Sequence, residues 1–291
     1  VDGHINKLCA RAVAMGVDVF KVLRVACVNP VLHYHLDVGL LRKGDAADFI
    51  IAEDLVNFNI IATYIDGMLT ASGGTTNIGS VPSEIINHFN CDDTTPVDFA
   101  VKARETETDT LLAIEALDGQ LITNKVSIPA SALKNPDGFL TSNTNADILK
   151  IVVINRYKKA PIATAWIKNF GFKKGAIAST VAHDSHNIIA VAADDKSLSE
   201  AVNLVIKERG GISCVSSNHS MVLPLPVGGL MSNNDAYRVA KQYTEIDKMA
   251  KDLGSRLSAP FMTLSFMALL VIPSLKLSDK GLFDGDHFKF I

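Results

Sequence analysis

The chain has 291 residues, of which 48% are hydrophobic and 20% are charged. This balance is typical of a soluble globular protein, and the length suffices for two modest domains. A formal net charge of −3 gives no electrostatic footprint for nucleic acid, and no apolar run approaches the ~20 residues that span a bilayer. We therefore expect neither a nucleic-acid partner nor a membrane partner.

The cysteines indicate a reducing environment. They are scattered without a Cys-x-x-Cys pair, which argues against a zinc ribbon and against a dense disulfide framework. The first residues carry no signal-peptide pattern. Reduced thiols and a cytoplasmic location are the prediction for this composition.

The N-terminal part predicts helices followed by short strands. Apolar residues at helical spacing run from Ile5 to Val13, and Gly16 provides a stop. Asp18 is placed to cap a second helix, which Asn29-Pro30 is expected to break before a third helical segment. Runs rich in β-branched residues at 47–52 and 60–66 predict strands, and Asp66-Gly67 predicts a hairpin turn.

The middle of the chain is less regular, and a new pattern begins at Ile148. Residues 72–82 and 134–147 are rich in turn formers, and 83–110 show no clear period. Beyond Ile148 the pattern predicts strands, a helix, a hairpin and a long helix, at 149–155, 162–167, 175–182, 188–193, 198–209, 212–216, 221–225 and 235–253. Lys276, Asp279 and Lys280 near the C-terminus are predicted to form a solvated charge run.

Several long segments carry a family resemblance. Residues 29–55, NPVLHYHLDVGLLRKGDAADFIIAEDL, resemble the passage of amidohydrolase-superfamily enzymes in which the last barrel helices lead into a small β-sandwich. Residues 171–195, 223–232 and 260–284 are similar to the C-terminal domain of the adenine deaminase family. The resemblance implies an α+β fold in three parts. These are terminal barrel helices at 1–36, part of a β-sandwich with connecting loops at 37–144, and a C-terminal α+β domain at 145–291.

The resemblance also implies an activity that this chain is not expected to perform by itself. In that family a barrel domain carries two divalent metal ions, manganese or iron, and metal-activated hydroxide converts adenine into hypoxanthine and ammonia. The implied ligands lie upstream of Val1. His33 and His35 have the His-x-His spacing, but they fall in a predicted helical segment and are not expected to bind metal. We therefore assign no catalytic residue with certainty and expect this chain to bind no metal. By itself, the chain should be inactive.

The implied partners of the whole protein are adenine, the upstream barrel domain and further copies of itself in a homo-oligomer. A different class of function stays open, in which the chain is a non-catalytic binding or assembly module that packs against a separate barrel. Another amidohydrolase, such as a dihydroorotase-like enzyme, would suit residues 29–55 but not the stretch around His183.

The strongest candidate site residues lie between two predicted strands. They are His183, Asp184, His186 and Asn187. A turn needs Gly, Asn or Asp for its geometry, and it does not need two imidazoles. Three alternatives remain open: a structural turn, substrate binding or active-site closure, and metal ligation by the histidines with Asp184. Because adenine offers ring nitrogens and an amine, His and Asn are suitable hydrogen-bond partners for it.

Overall fold

The computed structural model describes residues 4–81, 83–103 and 109–291, which form both helices and strands. An α+β composition is therefore confirmed. The chain divides into two units, Val1–Val81 and Pro82–Ile291. Every helix in the described ranges is too short or too polar to cross a bilayer.

The first unit begins with three helices. Helix α1, Ile5–Ala14, ends just before Gly16, whose φ is +89°. The Asp18 carboxylate accepts a hydrogen bond from the backbone N–H of Lys21 and so caps α2, Val19–Leu23, as predicted.

The expected break at Asn29-Pro30 is wrong. A π-helical turn, Arg24–Val28, follows α2 directly, and α3, Asn29–Tyr34, continues from that turn. Pro30 lies in the first turn of α3, where its missing N–H costs least. The wider turn before it lets the backbone stay helical.

A small antiparallel sheet completes the first unit. Its strands are β1, Phe49–Ala52; β2, Ile60–Ile65; β3, Met68–Ser72; and β4, Thr75–Thr76, in that order. The predicted hairpin is confirmed, since Asp66 and Gly67 both have positive φ and the strands pair across them. The Asp48 carboxylate accepts from the N–H groups of Gly39 and Asp66, at 2.8 and 2.7 Å, and so ties an earlier turn to this hairpin.

An eight-stranded sheet forms the centre of the second unit. Its order is β14-β13-β11-β12-β9-β10-β6-β7, and every neighbouring pair is antiparallel except β10 with β6. The strands are β6, Thr110–Ala116; β7, Thr123–Pro129; β9, Ile148–Ile154; β10, Ala163–Lys168; β11, Ala176–Ser179; β12, Ile188–Ala192; β13, Gly211–Val215; and β14, Ser220–Pro224. The short strands β5, Val101–Lys102, and β8, Phe139–Leu140, pair separately, and 3-10 turns lie at Pro96–Phe99 and Ala130–Ala132. The division at about residue 145 stays a prediction, although β6 and β7 precede that point and share the sheet.

Both faces of this sheet are covered. Helix α4, Asp195–Lys207, packs on one face. The other face is covered by α5, Ala236–Asp252, and α6, Pro260–Phe266. A small sheet also lies on this face and consists of β15, Leu275–Ser278, β16, Gly281–Asp284, and β17, Lys289–Phe290. Strand β9 has apolar side chains on both faces of the sheet. Ile151 and Val153 belong to the apolar cluster on one face, and Val152 and Ile154 belong to the cluster on the other. A strand buried on both faces is apolar at nearly every position, and β9 fits that rule.

One polar residue interrupts β9. The side chain of Lys150 is 1% exposed, and its Nζ donates to the carbonyl of Phe99 at 2.7 Å and pairs with the Asp195 carboxylate. Burial lowers the pKa of Lys150 and raises the pKa of Asp195, while their mutual attraction opposes both changes. The pair joins the start of α4 to the central strand.

Lys276 is not part of a solvated charge run, and that prediction is wrong for this residue. Its side chain on β15 is 0% exposed, and Nζ donates to the carbonyl of Leu121 at 2.6 Å. No carboxylate of the described residues pairs with it. Burial without a counter-ion lowers the pKa of Lys276 to about 8.

Replacing this buried ammonium should change how stability depends on pH. Its folded pKa of about 8 lies below the ordinary lysine value of about 10.4, so the native state binds fewer protons between these values. The unfolding free energy of the parent protein should therefore rise with pH across that window. Lys276→Met should remove the rise and, at about pH 7, add stability on the order of 1–3 kcal/mol.

Urea unfolding at about pH 7 and about pH 9.5 measures this difference. The exposed Lys280→Met is the matched control and should follow the parent protein. Parallel pH dependences for the parent and Lys276→Met would contradict the prediction.

Candidate functional site

The structure places the four predicted site residues in one short turn, 183–187, between β11 and β12. The N–H of His183 donates to the carbonyl of Ser265 at 3.1 Å, and the N–H of His186 donates to the carbonyl of Ala182 at 2.7 Å. Asp184 is exposed, the two histidines are half-buried, and Asn187 is 2% exposed. The turn is therefore held from inside while three of the four predicted side chains reach its surface.

Aromatic rings surround this turn. The imidazole of His183 lies 5.7 Å from that of His186, edge to face, and 5.0 Å from the ring of Phe266. The ring of Tyr157 lies 5.8 Å from that of His88. The Tyr157 hydroxyl donates a hydrogen bond to the carbonyl of Ser185 at 2.8 Å. We call these five rings, His88, Tyr157, His183, His186 and Phe266, the aromatic rim. Such rings offer π faces and hydrogen-bonding groups, which suit a flat heterocyclic ligand.

The surroundings of His186 disfavour its protonated form. Burial lowers its pKa most, and the nearby His183 and Arg156 lower it further, while Asp184 acts in the opposite direction. Its Nδ1 is buried and has no hydrogen-bond partner among the described residues. One ring nitrogen of His186 therefore makes no hydrogen bond to the described residues.

Arg156 lies at the centre of this site, although no pattern in the sequence singled it out. It lies two residues after the end of β9 and is 3% exposed. Its Nε donates to the carbonyl of His186 at 2.6 Å, and Nη2 donates to the carbonyl of Gly228 at 2.7 Å. Nη1 donates to the side-chain oxygen of Asn87 at 3.0 Å. One guanidinium therefore joins three segments that are far apart in sequence, and no local spacing could have revealed it.

The Val227-Gly228-Gly229 segment forms a turn that fits closely against Arg156. The φ of Gly229 is +73°, and a Cβ there would lie 2.6 Å from Nη1 of Arg156. The Thr180 hydroxyl fixes this turn by donating to the carbonyl of Gly229 at 2.6 Å. Glycine is thus required at 229 both for its backbone conformation and for the space that the guanidinium occupies.

Asn187 serves the turn rather than its surface. Its Oδ1 accepts from the N–H of Arg156 at 3.3 Å, and its Nδ2 donates to the Ser185 hydroxyl at 3.2 Å. Both ends of the buried amide are therefore engaged. Of the four predicted residues, His183, His186 and Asp184 are therefore the ones whose side chains are accessible at the surface of the turn.

The described residues do not fit a pair of divalent metal ions. Within 4–81, 83–103 and 109–291, no three His, Cys, Asp or Glu side chains converge on one point. The metal alternative for the 183–187 turn is therefore not supported. His35 lies at the left-handed end of α3, with φ +52°, and is exposed, as is His33.

Acidification should weaken the protein through His186. Because its folded pKa is lowered, the unfolded state binds more protons as the pH falls below the ordinary histidine value of about 6.5. The contribution to stability is present above that value and is lost as the pH falls towards the folded pKa. His186→Asn should remove this loss, since Asn tolerates the left-handed backbone at this position.

Thermal unfolding of the parent protein and the variant from about pH 7 down to about pH 5 tests this dependence. His219→Asn, in an exposed hairpin, is the control. The prediction fails if His186→Asn loses stability on acidification as steeply as the parent protein.

Comparison with known proteins identifies the relatives of this chain. Residues 120–289 match the family described as the adenine deaminase C-terminal domain, and residues 2–70 match the amidohydrolase family. The chain is 48% identical to an adenine deaminase of Salinibacter ruber and 50% identical to one of Sulfurovum sp., and each match covers 100% of this chain. These matches cover 52% and 51% of the two relatives, so the chain spans about half the length of the curated relatives it matches. The chain belongs to the adenine deaminase family and corresponds to the C-terminal portion of its members.

Proposed function

We propose that the whole protein, meaning this chain together with the part of its relatives' length that it does not cover, hydrolyses adenine. Water adds at C6 of the purine and the exocyclic amine leaves, which gives hypoxanthine and ammonia. The observation that carries this proposal is the match of the entire chain to proteins named adenine deaminase, at 48% identity in one case. A cytoplasmic location and a role in purine metabolism follow from the same proposal.

The finer fold assignment is also part of this proposal. We assign α1 to α3 as the terminal helices of an amidohydrolase barrel, and the sheet β1–β4 as part of its β-sandwich. The match of residues 2–70 to the amidohydrolase family supports both assignments. The polypeptide leaves the helical region at His35 and enters the sheet at Phe49.

The metal centre belongs, in this proposal, to the part of the protein that the chain does not cover. A pair of divalent ions, manganese or iron, would supply a hydroxide there by lowering the pKa of bound water. The described residues assemble no ligand set for it. We therefore assign to this chain the binding and orientation of adenine rather than the activation of water.

The 183–187 turn is the part of this chain that suits such a role. Adenine is flat and aromatic and carries ring nitrogens that accept hydrogen bonds and an amine that donates them. The half-buried imidazoles of His183 and His186 and the exposed Asp184 carboxylate supply complementary groups. Stacking of a purine on an aromatic side chain adds about 1–3 kcal/mol. We propose that the turn binds the purine or closes over it.

An assembly function has a separate observation in its favour. In the first unit, several large apolar side chains are more than two-thirds exposed, among them Met15, Phe20, Leu41 and Met68. Exposed apolar surface of this kind promotes association. This exposed surface supports packing against the barrel domain and self-association into a homo-oligomer. A non-catalytic assembly module would use the same surface. If size-exclusion chromatography of the isolated chain gives a monomer at all concentrations, that result would count against self-association.

Removing the His183 imidazole should slow the whole enzyme. We expect His183→Ala to lower kcat/KM for adenine roughly tenfold or more, which is about 1.4 kcal/mol of transition-state stabilisation. The metal content should not change, because His183 is not a metal ligand in this proposal.

Steady-state kinetics and metal analysis of the whole enzyme test this expectation. His219→Ala, in an exposed hairpin, is the matched control. Parent-like kinetics for His183→Ala would remove the turn from the substrate site.

The isolated chain should not turn over adenine. With added manganese or iron it should produce no hypoxanthine above background, because it lacks a set of converging ligands among its described residues. Adding back the missing portion should restore production. Substantial hypoxanthine formation by the isolated chain would show that this assignment of the metal centre is wrong.

A further inference from the structure

We propose that Arg156 is the positioning residue that holds the 183–187 turn in its substrate-binding conformation. This inference rests on the proposed function for its catalytic readout. Its structural part stands on the contacts of one buried side chain.

The first observation is the number of segments that Arg156 joins. Through Nε it holds the carbonyl of His186, and through Nη2 it binds the hydroxyl of Tyr157 at 3.0 Å. That same hydroxyl donates to the carbonyl of Ser185, so the turn is held at two successive carbonyls. The backbone N–H of Arg156 adds a third bond, to the buried Asn187 side chain.

The second observation is that the far side of the guanidinium is also fixed. Nη2 also binds the carbonyl of Gly228, while Nη1 binds Asn87. Asn87 in turn donates to the carbonyl of Pro226 at 3.0 Å. The rings of Phe89 and Tyr157 lie 5.6 and 4.6 Å from the central carbon of the guanidinium. These contacts fix the position of the guanidinium, and its hydrogen bonds in turn fix the backbone of the 183–187 turn.

The third observation concerns charge. Arg156 is buried, yet no carboxylate of the described residues pairs with it, and its side-chain partners are all neutral oxygens. A buried cation usually has an acidic partner, because desolvation is costly. Without such a partner, its positive charge acts on the neighbouring His186 and disfavours a second cation there. A neutral side chain at position 156 could provide the same hydrogen bonds between the segments, but it would not lower the pKa of His186.

The key test is Arg156→Lys in the whole enzyme, since lysine keeps the charge but cannot reproduce the planar fork of donors. We expect kcat/KM for adenine to fall roughly tenfold or more, mainly through a higher KM, with unchanged metal content. Amide hydrogen exchange in residues 183–187 should become faster. A merely structural role would instead reduce the folded fraction, so kcat would fall while KM stayed the same. Arg238→Lys, at an exposed arginine, is the control.

A glycine pair supplies a second test that leaves Arg156 in place. Gly228 and Gly229 both have positive φ, at +64° and +73°, so alanine strains the backbone similarly at either position. A Cβ at 228 meets nothing within 4 Å, whereas a Cβ at 229 meets the guanidinium. Gly229→Ala should therefore reproduce the faster exchange and the higher KM, and Gly228→Ala should not.

The outcomes separate this inference from the proposed function. Parent-like exchange in 183–187 for Arg156→Lys would overturn the positioning role. Faster exchange without a change in KM would overturn the claim that the positioned conformation is the substrate-binding one. Equal behaviour of the two glycine variants would also overturn it. If the parent enzyme does not deaminate adenine, the proposed function fails, and hydrogen exchange still decides whether Arg156 orders the turn.

Discussion

A buried guanidinium without an acidic partner is the constraint on which the candidate site depends. Removing such a cation from water is costly, and Arg156 recovers that cost only if its donors find well-placed acceptors. The acceptors include the carbonyls of His186 and Gly228 and the side chain of Asn87, which come from three separate segments. Because the cation needs all of them, each segment is held where the cation requires it. The conformation of the 183–187 turn thus follows from satisfying one charge.

The sheet beneath the turn gives this arrangement a firm base. Strand β9, which leads into Arg156, is buried along its whole length between two apolar clusters. The neighbouring strand β12 begins directly after the turn and is equally buried. Lys150 and Asp195 tie the covering helix α4 to the same central strand. Functional groups on loops that rigid strands support are held more accurately than groups on free loops, and this turn has that support.

Local sequence signals predicted many of the regular elements, but not β6, β7, α6 or β15 to β17. Long-range contacts could not be predicted from local patterns. The Asp18 cap, the Asp66-Gly67 hairpin and the buried strand β9 each depend on residues close in sequence. The helical path through Pro30 depended on a π-helical turn, which has no sequence signature of its own. Lys276 looked solvated because its neighbours in sequence are charged, whereas its burial comes from packing in three dimensions. The residues of the site turn were predicted, but neither the inward direction of Asn187 nor the role of Arg156 was, since both arise from contacts across 30 or more residues.

Hydrogen exchange of the whole enzyme, with and without adenine, tests most directly whether this chain forms part of the purine site. Exchange is slowed where a ligand covers or orders the backbone, and the peptide that contains residues 183–187 can be followed separately from the rest. Slower exchange in that peptide on adding adenine, with little change in the hairpin around His219, is the expected result. Unchanged exchange at 183–187 at a saturating adenine concentration would show that the turn neither binds the substrate nor closes over it.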